Sequence, residues 1–308
     1  MPTVAVVGAG LIGRSWAVVF ARAGFAVRLT DVHAPAREAA PGHVAEALRQ
    51  LGLHGLVDDE AAVLGRVRVV ATLAEAVAGA DLVQENGPET VEAKRALFAE
   101  LDALCPAATI LASSTSAIVA SRFTERLAGR ARCLVGHPVN PPHLVPVVEL
   151  CGAPWTDPAV VERARTLYAA AGQAPVIVRR EVEGFVLNRL QGALLSEALR
   201  LVGEGVVSPE DLDRTVAEGL GLRWSFLGPF ATIDLNAPGG VADYGARYGG
   251  FYRSLAADPA PPAVWDAETL ARVVAAWDGG PDPAPAEERA RRRDARLAAL
   301  MAHKRAQP

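Results

Sequence analysis

Two patterns in this chain predict an α/β fold with a doubly wound parallel sheet, followed by an all-α region. Over about the first 180 residues, short continuous apolar runs alternate with segments of helical periodicity. Strands buried on both faces and joined by crossover helices read this way. Around Arg180 the alternation stops, and only helical patterns follow. A chain of 308 residues suffices for two modest domains, placed at 1–180 and 181–308. Its composition, 51% apolar and 21% charged, is that of a globular protein and excludes a wholly disordered chain.

The strand candidates are Val4–Val7, Ala26–Thr30, Val67–Val70, Leu82–Gln84, Thr109–Ala112 and Cys133–Gly136, with Val147–Glu149 and Ala174–Val178 completing the sheet. Helical periodicity fills Gly13–Ala23, Pro35–Leu51, Thr90–Leu104 and Val119–Leu127. In the second half, Val182–Gly203 reads as one long apolar helix with sparse charges, expected to be buried nearly all round. The next helix starts at Ser208-Pro209: Ser is an N-cap, Pro suits the first turn, and Asp211 favours the positive end of the helix dipole. Gly219 and Gly221 are expected to end it. Helices are further expected over Val241–Leu255, Asp266–Trp277 and Ala286–Arg305, with a Pro/Gly-rich loop over Gly279–Pro285.

Charge and residue spacing remove several function classes. Lys plus Arg number 31 against 35 Asp plus Glu, a net charge of −4 without a nucleic-acid footprint. The arginines of Glu287–Lys304 are interleaved with Glu287, Glu288 and Asp294, which fits a solvated terminal helix better than a nucleic-acid arm. No uncharged apolar run reaches the roughly 18–20 residues of a membrane span. The chain enters strand-like sequence directly, without a signal-peptide pattern, so a cytoplasmic location is expected. Cys105, Cys133 and Cys151 form neither a zinc pair nor a disulfide framework, and the six histidines show no metal spacing. The cations are almost all Arg; only Lys94 and Lys304 are Lys. That bias singles out Lys94 as a candidate functional residue.

The motif Gly8-Ala9-Gly10-Leu11-Ile12-Gly13 lies directly after a strand and directly before a helix, with Asp31 ending the second strand 18 residues beyond Gly13. In this context GxGxxG reads as a dinucleotide site of Rossmann type. Gly8 allows the tight turn, Gly10 a close backbone approach to pyrophosphate, and Gly13 close helix–strand packing. The helix start at Leu11 and Ile12 turns unsatisfied N–H groups toward the phosphates. A carboxylate at Asp31 accepts from ribose hydroxyls and repels a 2′-phosphate, so NAD is expected over NADP. An FAD site and a glycine turn without ligand are the competing readings.

In Gly136-His137-Pro138-Val139-Asn140-Pro141-Pro142, His137 follows a strand candidate, and Glu149 comes 12 residues later. An alcohol must lose a proton when it is oxidised, and His titrates near operating pH. A neighbouring carboxylate would orient the ring. From spacing alone, His137 also fits a structural turn before proline.

Seven segments, in order along nearly the whole chain, resemble the 3-hydroxyacyl-CoA dehydrogenase superfamily, and most closely its lambda-crystallin branch, whose activity is L-gulonate 3-dehydrogenase. They are GAGLIGRSWA at 8–17, QENGPETVEAK at 84–94, SSTSAIVAS at 113–121, GHPVNPP at 136–142, VEGFVLNRLQ at 182–191, VSPEDLD at 207–213 and GLGLRWSFLGPF at 219–230. The resemblance implies that His137 is the catalytic base and Glu149 its acidic partner. It implies that Ser116 and Asn188 bind the reacting oxygen, that Glu89 and Lys94 contact the cofactor, and that Asn140 lies near the nicotinamide. It further implies a site between the domains and a homodimer formed through the second one. Relatives also serve as lens structural proteins, so an NAD-binding scaffold without catalysis is the non-enzyme alternative. Retention of His137, Glu149, Ser116 and Asn188 together argues against it.

Substrate choice rests on two features. Only about 35 residues separate Asp31 from Val67, with Arg37 and Arg49 the sole Lys or Arg before Arg66, little for a CoA phosphate site. Arg223 stands alone among Gly, apolar and aromatic residues, where a guanidinium can grip a substrate carboxylate in bidentate fashion. A surface Arg lying along Trp224 is the other reading. The resemblance sets the order. Carnitine dehydrogenases of the superfamily share the RWSF-type segment but lack the Asn found here at Asn188, and Ile233-Asp234-Leu235-Asn236-Ala237 with Gly240 and Tyr244 resembles the gulonate branch. Gulonate-like free acids are therefore expected first, carnitine-like acids second and 3-hydroxyacyl-CoA third.

Overall fold

A computed structural model describes residues 1–277 and 284–307. Eight strands form one sheet: β1 (Thr3–Val7), β2 (Ala26–Thr30), β3 (Val67–Val69), β4 (Leu82–Glu85), β5 (Ile110–Ser113), β6 (Cys133–Pro138), β7 (Val147–Gly152) and β8 (Ala174–Val178). Their spatial order is β3-β2-β1-β4-β5-β6-β7-β8. All neighbours pair in parallel except β6 and β7. Every strand read from the sequence is present. The helices are α1 (Leu11–Arg22), α2 (Ala34–Gly52), α3 (Glu60–Leu64), α4 (Leu73–Val77), α5 (Val91–Leu104), α6 (Ser121–Thr124), α7 (Pro158–Ala170), α8 (Leu187–Gly203), α9 (Pro209–Arg214), α10 (Leu222–Trp224), α11 (Pro229–Leu235), α12 (Gly240–Ala256), α13 (Ala267–Trp277) and α14 (Ala286–Arg305).

The chain divides into two compact units, Met1–Asn188 with Ala290–Pro308, and Arg189–Arg289. This differs from a division at 180/181 in two ways. The start of α8 stays with the sheet, and most of the last helix returns to it.

In the first unit, alternate side chains of each strand enter opposite layers. Val4 and Val6 of β1 join one core with α1, α2, α7 and Ala298 of α14. Ala5 and Val7 join the other with Val77 of α4, Phe98 of α5 and Phe123 of α6. A buried polar chain pins these layers at the central strands. The Tyr168 hydroxyl on α7 donates to Gln84 Oε1 on β4. Gln84 Nε2 donates to Ser114 Oγ at 2.6 Å, as does Trp16 Nε1 at 3.0 Å, and Ser114 Oγ donates to Asn86 Oδ1 at 2.7 Å. One hydroxyl thus uses its donor and both acceptor positions. Burial pushes the Tyr168 phenol up, so it stays a donor.

Several expectations need correction. The stretch 119–127 keeps only the single turn α6. The helix expected from Val182 starts at Leu187, because Gly184 (φ 76°) and Phe185 (φ 48°) take left-handed conformations that turn the chain first. Nor is α8 buried nearly all round: none of its residues is fully buried. A small helical unit has too little interior to cover every face. Gly219 and Gly221 do not end their helix. The chain widens into a π-helical stretch over Thr215–Gly221 and continues into α10, with Gly221 at φ −64° instead of the left-handed conformation a glycine stop requires. Ser208 and Pro209 begin α9 as expected, the Ser208 hydroxyl accepting from the Asp211 amide. The loop expected over Gly279–Pro285 falls mostly outside the described residues. All three cysteines are free and buried. Among the described residues, no helix is long and apolar enough to cross a membrane.

Replacing Tyr168 with Phe leaves Gln84 Oε1 buried without its donor. The expected loss is about 1–3 kcal/mol of stability, measured by urea unfolding. An unchanged midpoint and slope would show that the polar chain holds nothing together.

Candidate active site

The candidate residues of the first unit gather at the carboxyl edge of the parallel strands, where open α/β sheets bind ligands. Register places them there: Val7 of β1 pairs with Glu85 of β4, Glu85 with Ser113 of β5, and Ser113 with Val135 of β6.

The glycine turn separates structural need from ligand need. A Cβ on Gly8, which sits at φ +99°, would stand 2.7 Å from the Asn86 carbonyl oxygen, and one on Gly13 would stand 1.8 Å from that of Gly8. Both glycines are demanded by the protein's own packing. A Cβ on Gly10 would meet nothing within 4 Å, so nothing in the fold demands that glycine. No side chain caps α1, which leaves the N–H groups of its first turn, at Leu11, Ile12 and Gly13, for a ligand. Asp31 accepts from the Ala9 amide at 2.7 Å and the His33 amide at 2.8 Å, which ties β2 to the turn. A carboxylate accepts about four hydrogen bonds, so acceptor capacity remains for ribose hydroxyls. These features fit a dinucleotide.

The antiparallel pairing of β6 and β7 sets His137 directly opposite Glu149. His137 Nδ1 lies 2.8 Å from Glu149 Oε2, and the two residues are 5% and 2% exposed. A carboxylate only accepts, so Nδ1 donates to it, and in the neutral ring this leaves the Nε2 lone pair free. Glu149 Oε1 accepts from the backbone amides of Val186 at 2.8 Å and Leu187 at 3.0 Å. The same carboxylate therefore orients the imidazole and caps the first turn of α8. The left-handed turn before α8 makes this possible. It buries Phe185 against His137, with ring centroids 5.5 Å apart, and points the next two amides at Glu149. A left-handed Phe costs roughly 1–2 kcal/mol of backbone strain. Burial alone would raise the Glu149 carboxyl. The hydrogen bonds from His137, Leu187 and Val186 outweigh it and hold the group below its ordinary value.

Asn188, one residue on, donates from Nδ2 to the Ser116 carbonyl at 2.8 Å. The Ser116 amide donates to Glu89 Oε1 at 2.8 Å, and Glu89 Oε2 lies 3.6 Å from Lys94 Nζ. Ser116, Asn188, Glu89 and Lys94 thus form one connected group, joined to the His137–Glu149 pair through the backbone of Leu187 and Asn188. Lys94 is 1% exposed and ion-paired with Glu85 at 3.1 Å. Asn140 is exposed in the loop after β6, ahead of a cis peptide bond to Pro141. Arg223 lies in the second unit with an exposed side chain on α10. It is close enough to Tyr244 to oppose the upward shift of that phenol, which is caused first by its hydrogen bond with Tyr252. Among the described residues, no group of three or more His, Cys, Asp or Glu is placed to hold a metal ion.

Sequence reasoning missed Glu85, a fully buried carboxylate at the end of β4. Its signal was a charged residue closing a buried strand, with the chain's one internal lysine on the next long helix.

A family model described as the NAD binding domain of 3-hydroxyacyl-CoA dehydrogenase matches residues 3–182, and one described as the C-terminal domain of the same enzyme matches residues 184–272. A lambda-crystallin homolog of Bos taurus is 48% identical over 249 residues, 80% of this chain and 77% of that protein. An L-carnitine dehydrogenase of Streptomyces griseus is 44% identical over 246 residues, 78% of this chain and 71% of its own. Among solved structures, 5-formyl-3-hydroxy-2-methylpyridine 4-carboxylic acid 5-dehydrogenase, described as an NAD+ dependent dismutase, superposes with a TM-score of 0.86 at 30% identity, covering all of both chains.

Glu149→Gln keeps the shape of the side chain but loses the charge. We expect kcat to fall at least about 100-fold in steady-state assays, as when the orienting carboxylate of a comparable His is neutralised. The pH dependence follows from the sign of the shift. A carboxyl held below its ordinary 4.5 stabilises the fold fully above that value and loses this contribution as pH falls through the lower folded value. Unfolding midpoints of the variant should therefore fall less steeply with acid than those of the parent.

Proposed function

The chain belongs to the 3-hydroxyacyl-CoA dehydrogenase family of NAD-dependent oxidoreductases, and we propose that within it the substrate is a small free 3-hydroxy acid, gulonate-like before carnitine-like, and not a CoA thioester. The observation that carries the reaction class is the His137 Nδ1–Glu149 contact, which frees Nε2 to take the proton of a 3-hydroxyl. Ser116 and Asn188, already joined, hold that oxygen as it becomes a carbonyl. Gly8, Gly10, Gly13 and the amides of Leu11 and Ile12 would hold the cofactor pyrophosphate, Asp31 the adenosine ribose, and Glu89 and Asn140 the nicotinamide end. NAD, when bound, supplies the acceptor for the hydride.

The preference for a free acid has three supports. All three arginines of the segment between β2 and β3 are already engaged: Arg49 with Glu46 at 2.7 Å, Arg37 with the Asp31 carbonyl at 2.5 Å and Arg66 with the Ala21 carbonyl at 3.3 Å. That leaves little for CoA phosphates. Arg223 offers an exposed guanidinium without an ion pair to a described residue. The carnitine and pyridine-carboxylic-acid relatives are both named for compounds that carry a free carboxylate. We also infer a homodimer through the second unit. Apolar side chains such as Leu190, Phe226, Phe230 and Phe251 are more than half exposed on it. A monomeric mass by light scattering would overturn that.

The decisive assay is NADH formation with L-gulonate, L-carnitine, 3-hydroxybutyrate and 3-hydroxybutyryl-CoA under identical conditions. A free acid is expected to win, and preference for the thioester would overturn the substrate assignment. Inactivity on all four would favour the scaffold role. Arg223→Met should raise the KM of a free acid at least about tenfold, the worth of a charge-assisted bidentate contact. An unchanged KM would remove Arg223 from substrate binding. His137→Ala should abolish NAD reduction while NAD binding, followed by fluorescence, persists.

A further inference from the structure

We propose that Glu85 is a positioning residue: acting through Lys94 and Glu89, it sets the backbone segment Thr115–Ala117 that presents Ser116. The inference rests on the reading of Ser116 as a substrate-holding residue.

The links are all visible. Glu85 is fully buried, and its two oxygens lie 3.2 and 3.1 Å from Lys94 Nζ. The carboxylate also accepts from the Gly87 amide and from Ser113 Oγ, so it cannot swing away. An ammonium has three donors. Glu85 engages the Lys94 ammonium on one side, and Glu89 Oε2 lies 3.6 Å away on another, an ion-pair distance. The ammonium is thus shared between two carboxylates, and Lys94 is all but excluded from solvent. Its role is to hold Glu89 and not to reach a cofactor directly.

Glu89 is the exposed end of the chain of contacts, with its side chain 45% accessible. A half-exposed glutamate keeps three rotatable bonds and would swing into water if nothing held it. Its other oxygen accepts from the Thr115 hydroxyl, the Ser116 amide at 2.8 Å and the Ala117 amide at 3.3 Å. Thr115 Oγ1 in turn accepts from the Ile118 amide at 2.9 Å. One carboxylate oxygen therefore organises the whole turn after β5. That turn also bears the carbonyl that receives Asn188. The order is hierarchical: Glu85 is fixed by the sheet edge, Lys94 by Glu85, Glu89 by Lys94, and the Ser116 segment by Glu89.

Glu85→Gln alone leaves a buried ammonium undercompensated and can fail to fold. The informative variant is the double Glu85→Gln/Lys94→Met, which removes both buried charges at once. Glu85→Asp, which keeps the charge but shortens its reach, is the second variant. Amide hydrogen exchange of the substrate-free protein reads the effect without any assay. In both variants the Ser116 and Ala117 amides should exchange about tenfold faster than in the parent, while amides in β1 and β4 keep their protection. Because Glu89 is released together with the turn, NADH affinity should fall along with the exchange protection, and kcat should fall about tenfold or more as Ser116 loses its position. Unchanged exchange at Ser116 and Ala117 in a folded variant overturns the proposal, whatever the activity. So does a large loss of NADH affinity with exchange unaltered, which would return Lys94 to direct cofactor contact. If the parent protein oxidises none of the hydroxy acids, the functional reading fails, and the exchange result still decides the coupling from Glu85 to Ser116.

Discussion

The arrangement at the carboxyl edge of the sheet depends on the Glu149 carboxylate. One oxygen accepts a hydrogen bond from His137 Nδ1, and the other accepts from two amides at the first turn of α8. Each partner alone would leave the carboxylate half-satisfied in a dry site, where an unpaired charge is costly. Together they make burial of the acid tolerable and orient the imidazole of His137. The same two amides fix where α8 begins, and hence where Asn188 stands relative to Ser116. Chemistry and local architecture share one carboxylate, so the site cannot be loosened at His137 without also loosening the helix start. The left-handed turn at Gly184 and Phe185 is the strained element that this arrangement sustains.

The cofactor side is organised differently. Gly8 and Gly13 are required by contacts inside the protein, whereas Gly10 is not. A glycine that the fold does not need marks where something outside the fold comes close. Asp31 combines the two functions, since it braces the turn through Ala9 and His33 and retains acceptors for a sugar. The turn is thus held in shape before any nucleotide arrives, which lowers the ordering cost of binding.

The centre of the sheet was legible because β1, β4, β5 and β6 are buried on both faces and mostly apolar. The glycine motif was legible because sterics dictate it, and the His137–Glu149 pair because β6 and β7 are short and adjacent. What escaped has physical reasons. The helices α3 and α4 are five residues each, too short to display a period, although Thr72 and Glu75 form a capping box that marks α4. For α7, the start signal of Asp157 capping a helix with Pro158 at its first position was in plain sight. The break at 184–185 was hidden because nothing in the sequence of Phe185 announces a positive φ. The apolar stretch around it reads as uninterrupted helix. Glu85 escaped because its meaning lies in a lysine nine residues away, on a different element.

The return of α14 to the first unit bears on how the chain reaches its folded state. Ala298 is 1% exposed and belongs to the core shared by α1 and α2, with Leu297 and Met301 packed beside it. The wall of the nucleotide-binding core is therefore completed by residues that emerge from the ribosome more than 100 positions after the last strand, β8. During synthesis, the sheet must wait with one apolar flank of α1 and α2 open until nearly all of the second unit has been made. Maturation of the first unit is thereby tied to production of the second, and a ribosome that stalls within the helical region leaves an uncovered core for chaperones to shield.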